Sequence, residues 1–245
     1  MKKRGVKEGT EPVAAGDFTQ WLEATEAALH SGGGGADVPC GACRGCCRSS
    51  MFIHIKPEET RTIQRIPRAL LFPAPGLPKG HLLLGYRDNG ECPMFLNNQC
   101  SIYEDRPQTC RDYDCRVFAA TGISVDGEAQ PEIARRVSEW VFEYESEESR
   151  AEQGLVMEAA AFLRDNRDLF PAGALPGYPV QLAALAVEVY KVFADCRTIA
   201  REERAVMPDA AIAQVILAAM REPETPEKRA RKGKNTASKL PRKRL

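Results

Sequence analysis

Apolar residues fall at helical spacing near the N-terminus and throughout the second half of the chain, with a shorter, strand-like pattern between them. Phe18, Trp21, Leu22, Thr25 and Leu29 form one stripe behind a plausible N-cap, Asp17, and it stops at Ser31 and the four glycines Gly32 to Gly35. That pattern predicts a short amphipathic helix on a glycine linker, preceded by residues 1 to 16, which show no periodicity and read as disordered. Beyond residue 130, Ile133, Val137, Trp140, Val141 and Tyr144 predict a helix. Leu155, Ala159, Phe162 and Leu163 predict a second after an acidic, serine-containing break at 145 to 154. Leu182, Leu185, Val189, Val192, Cys196 and Ile199 make one long seam, and Ile212, Val215, Ile216 and Ala219 a last helix after Pro208.

Between these helices the pattern shortens. Met51 to Ile55 is apolar and β-branched and predicts a strand; Pro57-Glu58-Glu59 opens a helix to about Ile66, and residues 67 to 80 are a proline-rich loop. His81 to Tyr86 and Glu91 to Leu96 predict strands around the turn Arg87-Asp88-Asn89-Gly90, and a second turn leads into Cys100 to Tyr103, giving a small antiparallel meander. Pro107 then starts a short helix that crosses Cys110 and ends near Cys115. The class expected is α+β, with a small cysteine-rich domain of short antiparallel strands at 36–120, a helical region at 121–225, an N-terminal helix and linker at 1–35 and a disordered basic tail at 226–245.

Composition narrows the setting. A chain of 245 residues with 43% hydrophobic content can build a core without staples. No run approaches the roughly 18 apolar residues of a membrane span, and the charged start does not resemble a signal peptide, so a cytoplasmic location with reduced thiols is expected and no membrane partner. The formal net charge of zero conceals a tail, Lys228 to Leu245, with nine Lys or Arg and no acid, set against an acidic body. Such a tail could gain affinity for nucleic acid by releasing counterions, but it carries no aromatic residue to stack on bases.

The chemistry concentrates elsewhere. Cys40, Cys43, Cys46 and Cys47 put four thiols into eight residues, and Cys92, Cys100, Cys110 and Cys115 follow, so eight of the nine cysteines lie in 76 residues. Thiolates bind soft or borderline metals, and a C-x-x-C spacing turns two sulfurs toward one ion. A disulfide framework suits a shorter secreted chain with an even count, and a thioredoxin-like pair at Cys40 and Cys43 would need a preceding strand where a glycine linker stands. Eight ligands match two tetrathiolate centres without assigning them. Adjacent Cys46 and Cys47 are expected to serve different centres or opposite sides of one. By analogy with ferredoxins, where three local thiolates and a remote Cys-Pro hold a [4Fe–4S] cluster, Cys40, Cys43, Cys46 and Cys92 would form one set and Cys47, Cys100, Cys110 and Cys115 the other. A tetrathiolate zinc or oxidised [4Fe–4S] centre carries about −2, and Arg44, Arg48, Arg106, Arg111 and Arg116 stand close in sequence to the cysteines as cofactor-facing cations.

Cys40-x-x-Cys43-x-x-Cys46-Cys47, then Glu91-Cys92-Pro93-Met94-Phe95-Leu96, then Cys100-Ser101-Ile102-Tyr103-Glu104-x-Arg106-Pro107-x-x-Cys110-Arg111-x-Tyr113 resembles the YkgJ-type cysteine cluster family over about residues 40 to 117. The resemblance implies a zinc- or iron-chelating CxxCxxCC domain. A related cluster occurs in flagellin lysine methylases, so a metal-dependent enzyme with methylase-like activity is the alternative, although nothing outside the cluster matches a methylase and the run lacks the C-x3-C-x2-C of radical-SAM enzymes. The leading expectation is a chelating or electron-transfer protein with one or two centres, iron–sulfur placed ahead of zinc; a zinc-stabilised nucleic-acid adaptor is a further alternative, and no protein partner is indicated.

Of the remaining candidates, His54 on an apolar strand reads as a core residue before a ligand, and His30 and His81 border loops. Asp112 and Asp114 flank Cys110 and Cys115 and read as solvated acids before ligands. Tyr103 and Pro107 are expected to fix the hairpin and helix that aim Cys100 and Cys110, and Cys196, on an apolar seam, to fill a core.

Overall fold

The computed structural model describes residues 11–31, 36, 38–202 and 207–221; Gly32 to Gly35 and the basic tail lie outside them. The architecture is α+β, as the pattern predicts, and it holds two hydrophobic cores of unequal size. No helix among the described residues is long and apolar enough to cross a membrane.

The larger core gathers residues from Ala15 to Leu217, early and late in the described chain. Strand β1 (Val13–Asp17) leads directly into helix α1 (Phe18–Ser31), and Asp17 caps that helix by accepting the Gln20 N–H at 2.9 Å. Strand β1 was expected to be disordered. Its short sequence, Val-Ala-Ala-Gly-Asp, carries almost no periodic signal, and what orders it is parallel pairing with β7 (Trp140–Glu143), far along the chain. The stripe read as one helix from Ile133 to Tyr144 is therefore two elements. Helix α5 (Pro131–Glu139) ends at Glu139, and Trp140 and Phe142 point inward from a strand while Val141 and Glu143 point outward.

Helix α6 (Glu147–Asp165) begins inside the stretch read as a break. Ser146 accepts the Ser149 N–H at 3.2 Å, and Glu147 and Glu148 occupy the first turn, so the acidic, serine-containing segment is a capped helix start. Helices α7 (Pro179–Glu202) and α8 (Asp209–Arg221) complete the body. Cys196 is 3% exposed on α7 among these apolar side chains.

The smaller core lies under a three-stranded antiparallel sheet in the order β2 (Ile53–Ile55), β4 (Leu82–Leu84), β3 (Leu71–Pro73). Ile55, Ile66, Leu71, Leu84, Met94 and Ile102 fill it, with Cys92 and Cys100 against its edge. The predicted meander is thus repartnered: β4 is flanked by β2 and by a strand from the proline-rich loop, while β5 (Phe95–Leu96) and β6 (Gln99–Cys100) form a separate two-residue hairpin. Helix α2 spans Thr60–Arg65, α3 spans Gln108–Asp112, and α4 (Arg116–Thr121) starts after Cys115. The Ala36 N–H donates to Arg111 O at 2.7 Å, so the two ends of the cysteine-bearing excursion meet.

Candidate metal centre

Four stretches carry the eight cysteines. Cys40 and Cys43 flank a turn closed by the Cys43 N–H on Cys40 O at 2.9 Å, with Gly41 in the left-handed region at φ 54°. Cys46 and Cys47 follow on a single tight turn, Gly45–Arg48. That turn lies hard against α5: a Cβ on Gly45 would stand 3.1 Å from the Ile133 nitrogen and 3.2 Å from the Glu132 carbonyl carbon. The Cys92 N–H donates to Cys47 O at 2.8 Å, which ties the second stretch to the first. Cys100 leaves the β5–β6 hairpin, whose turn residues Asn97 and Asn98 are both left-handed, as a tight two-residue hairpin requires. Cys110 sits on α3, with Pro107 at its N-cap, and Cys115 immediately precedes α4.

All nine cysteines are free thiols. Burial raises the Cys40 thiol pKa, and the neighbouring charges of Cys46, Cys43 and Asp114 raise it further while Arg136 opposes them. Cys115 is pushed up to about 12, chiefly by burial, with Asp114, Cys40 and Cys43 adding to the effect. Cys110 is raised by burial and then by Cys46, Cys92 and Cys100; Cys92 and Cys100 are raised by burial and feel Cys100 and Cys46 respectively. Cys46 is raised first by its hydrogen bond with Cys47. The charge couplings run among Cys40, Cys43 and Cys115 and among Cys92, Cys100 and Cys110, and Cys46 is coupled to both sets. The ferredoxin analogy would instead put Cys92 with Cys40 and Cys115 with Cys110. Among the described residues, no three His, Cys, Asp or Glu side chains are disposed to hold a metal ion as they stand.

The expected cations have other engagements as well. Arg44 donates to the carbonyls of Gly41 at 2.8 Å and Cys43 at 2.7 Å and so braces the first turn. Arg48 pairs with Glu91 at 3.2 Å and Glu132 at 3.0 Å, and Arg111 donates to the carbonyls of Arg106 and Glu104, both at 3.0 Å. Arg106 lies over the Tyr103 ring, 4.1 Å from its centre, and its charge eases ionisation of Cys100 and Cys110. Arg116 is buried, and the Asp114 carboxylate it grips also accepts the Trp21 indole N–H at 2.9 Å; Asp114 is therefore an enclosed structural acid, contrary to the solvated reading. Asp112 is exposed and accepts from Gln108. His54 and His81 meet, Nε2 to Nδ1, at 2.8 Å, and His30 bonds the Glu26 carbonyl on α1.

Two residues that sequence reasoning passed over contact the cysteines, one at a sulfur and one at a backbone carbonyl. The Trp140 indole N–H donates to Cys115 Sγ at 3.2 Å in a buried contact. Arg136, its side chain 12% exposed, reaches Cys40 O at 3.4 Å, pairs with Glu139 at 3.2 Å and keeps a buried Nε without a hydrogen-bond partner. Neither is near a cysteine in sequence. The only available signal was the inward position of Trp140 on the apolar stripe.

The donor chemistry suits a thiophilic cation: several neighbouring thiols, most of them half-buried, whose ionised forms would repel one another without a cation between them, beside an arginine with an unused donor. No curated protein and no solved structure matches the chain. A family model described as a putative zinc- or iron-chelating domain, CxxCxxCC, matches residues 39–133. Over those residues, fewer than half of the 245, the chain is similar to that cysteine-cluster domain, and the matched segment lies within a longer α+β chain.

Proposed function

We propose that the eight cysteines hold one or two thiolate-ligated metal centres, iron–sulfur ahead of zinc, and that the protein stores or chelates metal or passes electrons. What supports this is electrostatic coupling between thiols of separate stretches. Cys110 feels the charges of Cys46, Cys92 and Cys100, and Cys115 those of Cys40 and Cys43, although these residues come from separate stretches. On this reading Cys40, Cys43 and Cys115 serve one group, Cys92, Cys100 and Cys110 the other, and Cys46 and Cys47 complete them. The sulfurs would turn about their Cα–Cβ bonds to converge. A bound iron–sulfur cluster would supply one-electron redox chemistry, whereas zinc would supply rigidity. Arg106 and Arg136 would offset the negative charge that thiolates bring. A reducing compartment such as the cytoplasm would keep the ligands available.

Metal and acid-labile sulfide analysis of protein purified without oxygen, with a visible absorption spectrum, tests the proposal. Iron, sulfide and broad visible absorption are expected. Colourless protein with stoichiometric zinc would assign the centre a structural role, and protein free of both metals that takes up neither on addition would overturn the reading.

A further inference from the structure

The family match ends at residue 133, yet the side chains that reach Cys40 and Cys115 most directly come after it. Trp140 is the first residue of β7, whose pairing with β1 fixes its backbone. The residue is 6% exposed, and its single indole N–H is spent on Cys115 Sγ. An indole N–H has no second bond to make, so this contact satisfies the donor and is directional. Arg136 lies one helical turn earlier. Its guanidinium stands over the Trp140 ring, 5.4 Å from the centre, and is held by Glu139. It touches the Cys40 backbone while one buried N–H remains unspent. One helix end thus aims a positive charge at Cys40 and a hydrogen-bond donor at Cys115, two cysteines separated by the whole excursion.

We infer that Arg136 and Trp140 are positioning residues for the Cys40, Cys43 and Cys115 group, setting its affinity for metal and the electron-donating power of its sulfur. The inference rests on the thiolate-centre reading. Groups that hydrogen-bond a metal's ligands commonly control affinity by about 10- to 100-fold. A hydrogen bond to a ligating sulfur lowers the energy of its lone pairs, and a nearby cation adds to that effect.

The test is titration of the reduced full-length protein with Co²⁺, read from the sulfur-to-cobalt charge-transfer absorption. Trp140→Phe keeps the ring and removes the N–H. It should move the absorption of one group to lower energy and weaken Co²⁺ binding by about tenfold. Arg136→Gln should weaken binding similarly, and Arg136→Lys should restore most of it. Trp21→Phe, which removes an indole N–H that serves Asp114 and no sulfur, should leave the band where it is. Unchanged bands and affinities in Trp140→Phe and Arg136→Gln would overturn the inference, as would an equal band shift in Trp21→Phe, which would mark general loosening. Wild-type protein that shows no sulfur-to-cobalt absorption would overturn the thiolate-centre reading itself, and the inference with it.

Discussion

Arg116 lays its guanidinium along the Asp114 carboxylate two residues earlier, Nη2 to Oδ2 at 2.7 Å and Nε to both oxygens at 3.0 Å. The two side chains are only 11% and 10% exposed, and Arg116 also donates to Ala15 O in β1 at 2.9 Å. This ion pair therefore joins the last cysteine segment to the N-terminal strand. Asp114→Asn should cost about 3 kcal/mol, because it leaves a buried cation without its carboxylate. Replacing both partners with apolar residues should cost less than the single change. Denaturant unfolding of the two variants checks this, and equal losses would refute the account.

Gly45 supports a second expectation. Beside the Ile133 side chain, its neighbours are the backbone atoms of Glu132 and Ile133, which cannot swing aside as a side chain would. Gly45→Ala should push the Cys46–Cys47 turn away from α5 and cost about 1–3 kcal/mol. It should also weaken metal binding. A variant as stable as the parent would show that the approach is looser than described.

His54 and His81 provide a pH-sensitive contact. Burial, and then the charge of His81 and of Lys56, hold His54 below its ordinary pKa, with Glu59 opposing them. The unfolded chain takes up this proton near about pH 6.5, whereas the native protein takes it up only at lower pH. Stability from this group is therefore complete above that value and falls as pH drops through the folded pKa. Thermal melts between pH 7.5 and pH 5 should show the decline, and His54→Asn should flatten it. An unaltered slope in the variant would assign the decline to other groups.

Cys196 separates packing from ligation. It lies on α7 in the large core, so Cys196→Ala should cost about 1 kcal/mol and leave the metal content unchanged. Cys110→Ala should reduce the metal content. Retained metal in Cys110→Ala, or lost metal in Cys196→Ala, would contradict the assignment of these thiols.

What could be read from the chain was what periodicity and local spacing encode. Helices α1, α7 and α8 were legible because each carries its own apolar stripe, and the cysteine motifs because they are local. Strand β1 was not, since its order comes from Trp140 to Glu143 rather than from its own residues. Val137, Trp140, Val141 and Tyr144 continue a helical count by coincidence, and that hid β7. The same tertiary closure conceals Arg136 and Trp140 from any motif, because it alone brings them to Cys40 and Cys115.

The bond between Ala36 and Arg111 has a thermodynamic consequence of its own. It marks the neck of a loop of some seventy residues, and closing a flexible loop of that length costs the chain roughly 4 kcal/mol of entropy. Cys40 and Cys115 flank this neck. A metal shared between them would act as a staple there, holding the neck shut at the edge of the helical core to which Cys115 belongs.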